Sequence, residues 1–163
     1  AEVSARVSTR IPEWRTLEGK PVPVDAPDSI NVVGRMVGGA EVSVNVAAVP
    51  SNPGGNRMEI YGREGALVIR ADGALSLGPC QMHAGKGKEP MAPMPVPSKY
   101  KLAPEGTPGG PPYNVAQAYA RMADALRAGR SFDVDFNLAV QRHKLIDAIE
   151  RSSATGRSVR LDQ

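Results

Sequence analysis

The chain has 163 residues, and this length predicts a single domain that is large enough to bury a hydrophobic core. Its composition, with 41% hydrophobic and 23% charged residues, is typical of a globular protein and excludes wholesale disorder. A net charge of +3 and an aromatic content of 4% argue against nucleic-acid binding. No membrane association is expected either, because no apolar run reaches the about 18 residues that a membrane-spanning helix needs.

Proline and glycine are unevenly distributed along the chain. There are 17 Gly and 15 Pro, and 13 of these 32 residues lie between positions 85 and 112. We therefore predict one domain over residues 1–163 with a Pro/Gly-rich insert at about 85–112. The single cysteine, Cys80, cannot form an internal disulfide, which fits a reducing compartment and predicts a cytoplasmic location.

The first part of the chain alternates apolar and polar residues, a pattern typical of β-strands with one buried face. Such runs predict strands at residues 2–9, 29–37, 41–49, 57–61, 66–70 and 74–77. The pairs Gly38-Gly39 and Asp72-Gly73 indicate hairpin turns, because glycine adopts the positive φ angles that tight turns require. Four prolines between residues 11 and 27 predict a loop or an irregular sheet edge. Successive hairpins without a helical crossover predict an antiparallel meander.

The last third of the chain predicts two helices. In the first, Asn114 is a candidate N-cap, and apolar side chains recur at the spacing of one helix face at Val115, Tyr119, Met122 and Leu126. The second is predicted from about residue 136 to 154, between an Asp135 N-cap and a Gly156 stop. A short strand at 158–161 follows it. We predict an α+β fold: an open, mainly antiparallel β-sheet with two C-terminal helices packed on one face.

One face of the predicted sheet is left without a helix. Two helices of this length cover one face of a six- or seven-stranded sheet, so the other is either solvated or in contact with a partner. The strand at 41–49 favours contact, because its side opposite the valines carries only small, uncharged residues, Ser43, Asn45 and Ala47. A solvated face remains the alternative, although such a face usually carries more charge. These three residues are predicted to belong to an interface.

Signatures of catalysis are missing from the sequence. It contains no G-x-G-x-x-G fingerprint for a dinucleotide. The two histidines, His83 and His143, stand sixty residues apart, without the clustering that is typical of a metal site. We therefore predict no catalytic, cofactor-binding or metal-binding residue in this chain.

The segment Met58–Ile69 resembles a strand–turn–strand signature in the C-terminal domain of the Gfo/Idh/MocA oxidoreductases. Similarity to the closing helices and the final strand of that domain is found at Tyr119–Arg130, Asp135-Phe136, Leu145–Ser153 and Gly156–Leu161. The stretch Asp28-Ser29-Ile30, with the hairpin after it, is most similar to the branch that contains the galactose regulator Gal80. The resemblance covers about residues 28–161 apart from the insert.

The resemblance implies a two-domain protein in which an N-terminal Rossmann domain binds NAD or NADP. In the family, this domain, the catalytic lysine and the catalytic Asp/His pair all precede the region that is matched here. The chain is therefore expected to be a C-terminal half that lacks the Rossmann domain, binds no cofactor and is not catalytic alone, and a start without Met fits this expectation. The family uses the open sheet face for dimerisation, which implies a homodimer.

A loop just before the Met58–Ile69 segment carries the candidate substrate contacts. In members similar to inositol dehydrogenases this loop faces the substrate, and its hydrogen-bonding residues here are Ser51, Asn52, Asn56 and Arg57. A polar turn is the alternative, since the tyrosines of those members are missing. The resemblance thus implies a substrate-binding and oligomerisation domain of an NAD(P)-dependent oxidoreductase that acts on a sugar, polyol or related compound. The alternative is a non-catalytic, ligand-sensing regulatory protein of Gal80 type.

Overall fold

The computed structural model describes residues 1–48, 54–75 and 78–161. In chain order the strands are β1 (Glu2–Ser8), β2 (Glu13–Arg15), β3 (Pro21–Pro23), β4 (Ser29–Arg35), β5 (Glu41–Ala47), β6 (Asn56–Tyr61), β7 (Gly65–Ala71), β8 (Gln81–Lys86), β9 (Ala92–Pro93) and β10 (Val159–Arg160). The helices are α1 (Pro111–Arg127) and α2 (Phe136–Thr155), and a 3₁₀ turn spans Ser98–Tyr100. Antiparallel sheets followed by two C-terminal helices confirm the α+β fold class. The chain divides into two compact units, one of residues 1–51 with 133–163 and one of residues 52–132.

The first unit is built on an antiparallel sheet with the strand order β10-β1-β4-β5. Helix α2 packs on one face of this sheet, where the fully buried Ala148 lies against the buried Val3 and Val32. Leu145 and Ile149 extend the same helix face over the sheet. Because alanine is small, the helix axis can approach the strands closely, and the removal of these apolar surfaces from water stabilises the unit.

The ends of α2 agree with the residues that predicted them. Asp135 is the N-cap, and its carboxylate accepts a hydrogen bond from the backbone N–H of Leu138 at 2.9 Å. That hydrogen bond is the main reason that the pKa of Asp135 lies below its ordinary value. Gly156 ends the helix in the left-handed conformation with φ of 66°, as a glycine C-cap does.

The last turns of α2 also complete the hydrogen bonding of β1. Strand β10 pairs with β1 only at Glu2 and Val3, so the backbone N–H groups farther along this side of β1 need other acceptors. The hydroxyl oxygen of Ser152 accepts from Ala5 N at 2.9 Å, and that of Ser153 accepts from Val7 N at 2.8 Å. Helix α2 is therefore fixed to the sheet by hydrogen bonds as well as by apolar packing.

Residues 11–27, predicted as a loop or an irregular edge, contain a two-stranded ribbon formed by β2 and β3. Asp28 holds the start of this segment, because its two carboxylate oxygens accept hydrogen bonds from Arg10 N at 2.8 Å and from Ile11 N at 2.7 Å. The hydrogen bond from Arg10 contributes most to a lowered pKa of Asp28, and the bond from Ile11 lowers it further, against the opposing effect of desolvation.

We expect Asp28→Asn to loosen the ribbon, because an amide offers one acceptor oxygen to two N–H donors. The carboxyl has an ordinary pKa of 3.8 and a lower one in the folded protein, so its contribution to stability is fully present above pH 3.8 and is lost as the pH falls through the folded pKa. The Tm of the variant should lie a few degrees below that of the wild type near neutral pH. The difference should shrink when Tm is measured by circular dichroism well below pH 3.8.

The matched control is Asp25→Asn in the same segment, which should leave Tm and its pH dependence unchanged. A Tm difference for Asp28→Asn that is the same at neutral and acidic pH would contradict the role assigned to the ionised carboxylate.

The second unit contains an antiparallel sheet with the strand order β6-β7-β8-β9. Strand β6 begins one residue before the predicted strand, and β7 is longer than its prediction by one residue at each end. Strand β8 was not predicted. The strand predicted at 74–77 is not formed at residues 74 and 75, and residues 76 and 77 lie outside the described part. A Cβ atom on Gly65 would collide with the carbonyl oxygen of Gly85 on β8, so only glycine fits at the start of β7.

Helix α1 differs from its prediction in two respects, the residue at which it begins and the face that it buries. It begins at Pro111, three residues before the expected cap Asn114, because proline is well tolerated in the first turn of a helix. The predicted core stripe is exposed instead, and Tyr119 is 68% exposed. The buried residue of the helix is Ala125, on a different face.

Gln117 of α1 binds residues 100–103 of the Pro/Gly-rich insert. Its side-chain Nε2 donates to the carbonyl of Tyr100 at 3.0 Å, and its Oε1 accepts from Ala103 N at 3.1 Å and also from Leu102 N. This amide therefore holds a segment 14 to 17 residues away in sequence against α1.

Candidate functional site

Strand register assigns the side chains of the first unit's sheet to two faces. Val3, Ala5 and Val32 lie on the face that packs against α2. We call the opposite side the open face, and its residues are Arg160, Glu2, Ser4, Arg6, Ser8, Ser29, Asn31, Val33, Arg35, Glu41, Ser43, Asn45 and Ala47. Most of these side chains are exposed.

The three residues predicted to form an interface all lie on the open face. Ser43, Asn45 and Ala47 are exposed there, and Asn45 Nδ2 donates to Asn31 Oδ1 at 2.5 Å. Val33 on the neighbouring strand is 55% exposed in the middle of this face. The central part is thus small and weakly polar, as a contact surface requires, while its role as an interface stays a prediction.

A second surface lies on the sheet of the other unit. Its register places several polar side chains together on one side, which we call the polar face: Arg57, Glu59, Tyr61, Arg70, Gln81 and His83. The opposite side of the same strands carries Met58, Ile60, Leu67, Ile69 and Met82. Strand alternation together with the pairing of β6, β7 and β8 therefore places these polar groups on one side of the sheet.

Glu59 interacts with several charged and polar side chains of the polar face. Arg57 Nε donates to Glu59 Oε1 at 2.7 Å, and Arg57 Nη2 contacts the same oxygen. The hydrogen bond from Arg57 is the main cause of a lowered pKa of Glu59, and Tyr61 and the positive charge of Arg70 lower it further. Glu59 is therefore ionised at neutral pH, and the surface can hydrogen-bond a hydroxylated molecule through a fixed carboxylate and guanidinium.

Two of the four predicted substrate residues are described by the structure. Ser51 and Asn52 lie outside the described residues. Asn56 and Arg57 follow one another in β6 and therefore lie on opposite sides of the sheet. Asn56 Nδ2 donates to the carbonyl of Gly73 at 2.8 Å, and Arg57 is held by Glu59. Their role in substrate binding stays a prediction.

Sequence reasoning missed the neighbours of Arg57 on the polar face. Arg57, Glu59 and Tyr61 follow each other at every second position, so alternation in the sequence was a usable signal for this group. Arg70 and His83 join them only through the pairing of β7 with β6 and β8. The register of this pairing cannot be read from a local sequence pattern, so these two residues were not predicted to join the group.

The described residues do not fit a dinucleotide. All strand pairs among them are antiparallel, whereas the phosphate-binding turn of NAD proteins lies between a strand and the helix of a parallel unit. Within residues 1–48, 54–75 and 78–161, no cluster of His, Cys, Asp and Glu could hold a metal ion. In the same part of the chain, no helix is long and apolar enough to cross a membrane.

The chain shares its fold with several solved oxidoreductases and with Gal80p. The chain is similar to levoglucosan dehydrogenase in complex with NADH and levoglucosan, with 24% identity and a TM-score of 0.77 over 99% of this chain and 45% of that one. It is similar to an oxidoreductase domain protein from Kribbella flavida, with 19% identity and a TM-score of 0.76 over 99% and 44%. It is also similar to the super-repressor mutant of Gal80p from Saccharomyces cerevisiae, with 18% identity and a TM-score of 0.75 over 97% and 43%.

No protein-family model and no curated protein matches the chain. The likeness to solved structures is therefore one of fold, and at this level it confirms the resemblance to the C-terminal domain of Gfo/Idh/MocA-type oxidoreductases and Gal80. The chain spans less than half the length of the structures that it matches.

Proposed function

We propose that this chain is the substrate-binding and oligomerisation domain of a cytoplasmic NAD(P)-dependent oxidoreductase acting on a sugar, polyol or related compound. The observation that carries the proposal is the fold, which the chain shares over nearly its whole length with levoglucosan dehydrogenase and with an aldose-aldose oxidoreductase from Caulobacter crescentus. In the whole protein, a Rossmann domain outside this chain would bind NAD or NADP and supply the catalytic residues.

The polar residues near the start of β6 supply the substrate contacts in this proposal. Sugar hydroxyls both donate and accept hydrogen bonds, and the side chains of Ser51, Asn52, Asn56 and Arg57 together offer both functions, Arg57 from the polar face and Asn56 from the opposite side of β6. The Glu59 carboxylate restrains the guanidinium of Arg57, so its remaining N–H groups have a defined direction at little cost in side-chain entropy.

The sugar-binding part is tested by ligand-observed NMR with levoglucosan, glucose and glycerol as probes. We expect weak, saturable binding of at least one probe by this chain, because the domain lacks the contacts of a closed two-domain site. Arg57→Ala should weaken that binding by about tenfold, since it removes directed donors. Arg63→Ala, which removes the same charge in the exposed turn before β7, is the matched control and should bind as the wild type does. Saturation by none of the probes, or equal losses in both variants, would contradict the assignment.

A regulator of Gal80 type is the second candidate, and the likeness to Gal80p favours it. The adjoining coding sequence distinguishes the two, because an enzyme needs the catalytic lysine and the Asp/His pair in the other domain. Their presence would support the oxidoreductase, and their loss would support a ligand-sensing protein.

We propose further that the chain forms a homodimer through the open face. The small, uncharged residues Ser43, Asn45 and Ala47 and the exposed Val33 support this, because they allow two sheets to approach closely. Sedimentation velocity at micromolar concentration should give twice the 17.2 kDa mass of one chain. A monomer over the whole accessible concentration range would contradict the homodimer.

A further inference from the structure

One edge of the open face carries a row of four charges that alternate in sign. Strand register places Arg160, Glu2, Arg35 and Glu41 side by side across β10, β1, β4 and β5. All four side chains are exposed, and Arg35 and Glu41 form an ion pair of 3.5 Å. We call these four residues the charged row.

The next rows along the strands are uncharged or nearly so. Ser4, Val33 and Ser43 form the neighbouring row, which we call the middle row. The Ser4 hydroxyl lies 2.7 Å from that of Ser158. The row after it contains Arg6 with the amides Asn31 and Asn45. The open face therefore has a defined polarity along the strands, with its charges concentrated at one end.

An alternating row of four has all of its residues paired with opposite charges under only one two-fold operation, because an axis between β10 and β1 or between β4 and β5 pairs only two of the four. If two open faces meet about an axis that runs along the strands between β1 and β4, each residue of the charged row meets one of opposite sign. Glu2 then faces Arg35 of the partner subunit, and Glu41 faces Arg160 of the partner subunit. An isologous interface repeats each of these pairs, so four ion pairs form.

Other positions of the axis are less favourable. An axis along β4 would place Arg35 against Arg35 of the partner subunit and Glu2 against Glu41 of the partner subunit, and like charges in contact are repulsive. A two-fold axis between the sheets could also run across the strands, above the row of Ser4. The charged row would then no longer face the charged row of the partner subunit. It would then face the row of Arg6, Asn31 and Asn45, which offers one charge to four.

We propose that the charged row fixes the register of the homodimer, with the two-fold axis between β1 and β4. This inference rests on the proposed dimer and adds how its two sheets are aligned. Packed sheets lie about 10 Å apart, a gap that an arginine and a glutamate side chain can bridge together. The middle row then places Val33 against Ser4 of the partner subunit, where small side chains allow the approach. The row selects the alignment more than it adds affinity, because exposed ion pairs contribute about 0–1 kcal/mol each.

The test uses two variants with altered charges in the charged row, each studied alone and in an equimolar mixture with the other. One chain carries Arg35→Glu and Arg160→Glu, so its charged row is wholly acidic. The other carries Glu2→Lys and Glu41→Lys, so its row is wholly basic. We expect each variant alone to dimerise at least about tenfold more weakly than the wild type, because its row meets four like charges. An equimolar mixture should form heterodimers about as strongly as the wild type forms homodimers, measured by native mass spectrometry and sedimentation equilibrium.

The control pair makes the same changes in charge away from the open face. Arg63→Glu with Arg142→Glu, and Glu105→Lys with Glu150→Lys, alter exposed residues. Each of these chains should form homodimers as the wild type does, and circular dichroism should confirm that all variants are folded.

The outcomes separate this inference from the dimer on which it rests. If both row variants form homodimers as strongly as the wild type, or if their mixture forms no heterodimer, the proposed register is wrong while the dimer stands. If the control mixture shows the same preference for heterodimers, net charge and not the charged row is the cause, and the register is again wrong. If the wild-type chain is monomeric, both the dimer and its register fail.

Discussion

Ser43→Lys should convert the proposed homodimer to monomers, with association at least about a hundredfold weaker than in the wild type. Ser43 lies in the uncharged middle row of the open face, and an ammonium group placed there would be removed from water without a partner. The long side chain would also hold the two sheets apart at the point where small residues allow contact. Sedimentation equilibrium measures the dissociation constant directly.

Gln141→Lys is the matched control for this substitution. Gln141 is an exposed residue of α2, so the variant has the same net charge with the added lysine away from the open face. It should associate as the wild type does. Equal dissociation constants for Ser43→Lys and wild type would show that the open face of β5 is not the interface.

Ser152→Ala should destabilise the chain by about 1–3 kcal/mol, because the N–H of Ala5 loses its acceptor in a partly buried site. Ser152 is 1% exposed, so water cannot replace the hydroxyl without a rearrangement of α2. Adding Ser153→Ala removes the acceptor for Val7 as well and should increase the loss. Urea denaturation gives the free energy of unfolding, and hydrogen exchange at the Ala5 amide gives a local measure.

Thr155→Ala tests whether the loss is specific to the contact with β1. The Thr155 hydroxyl donates to the Arg151 carbonyl within α2 at 2.7 Å and lies on the exposed side. Its removal should change the stability by no more than about 0.5 kcal/mol. A Ser152→Ala variant as stable as Thr155→Ala would mean that the hydroxyl does not satisfy the edge of β1.

Local signals predicted most of the fold correctly. Gly39, with φ of 85°, completes the turn that the Gly38-Gly39 pair predicted between β4 and β5, and Asp135 and Gly156 bound α2 as expected. Each of these features depends on a few neighbouring residues, so the sequence alone is sufficient to identify it. Strand alternation likewise assigned Ser43, Asn45 and Ala47 to one face before the register was known.

Features that depend on distant partners were not predictable. The apolar stripe of α1 matched a helix period, yet the structure exposes Tyr119 and buries Ala125, because the neighbours of a helix decide which face is covered. Gln117 has its hydrogen-bond partners at residues 100–103, on a loop whose position no local pattern encodes. His83 reaches the polar face only through the register of β8, and the charged row needs the pairing of four strands.

The two serine hydroxyls at the end of α2 also have a consequence for aggregation. A strand with free N–H groups along one side is a template on which a strand of another molecule can add, and such additions start fibrils. Ser152 and Ser153 occupy these groups at Ala5 and Val7, where β10 no longer covers β1. The same two hydroxyls that fix the helix therefore close this side of the sheet to strand addition.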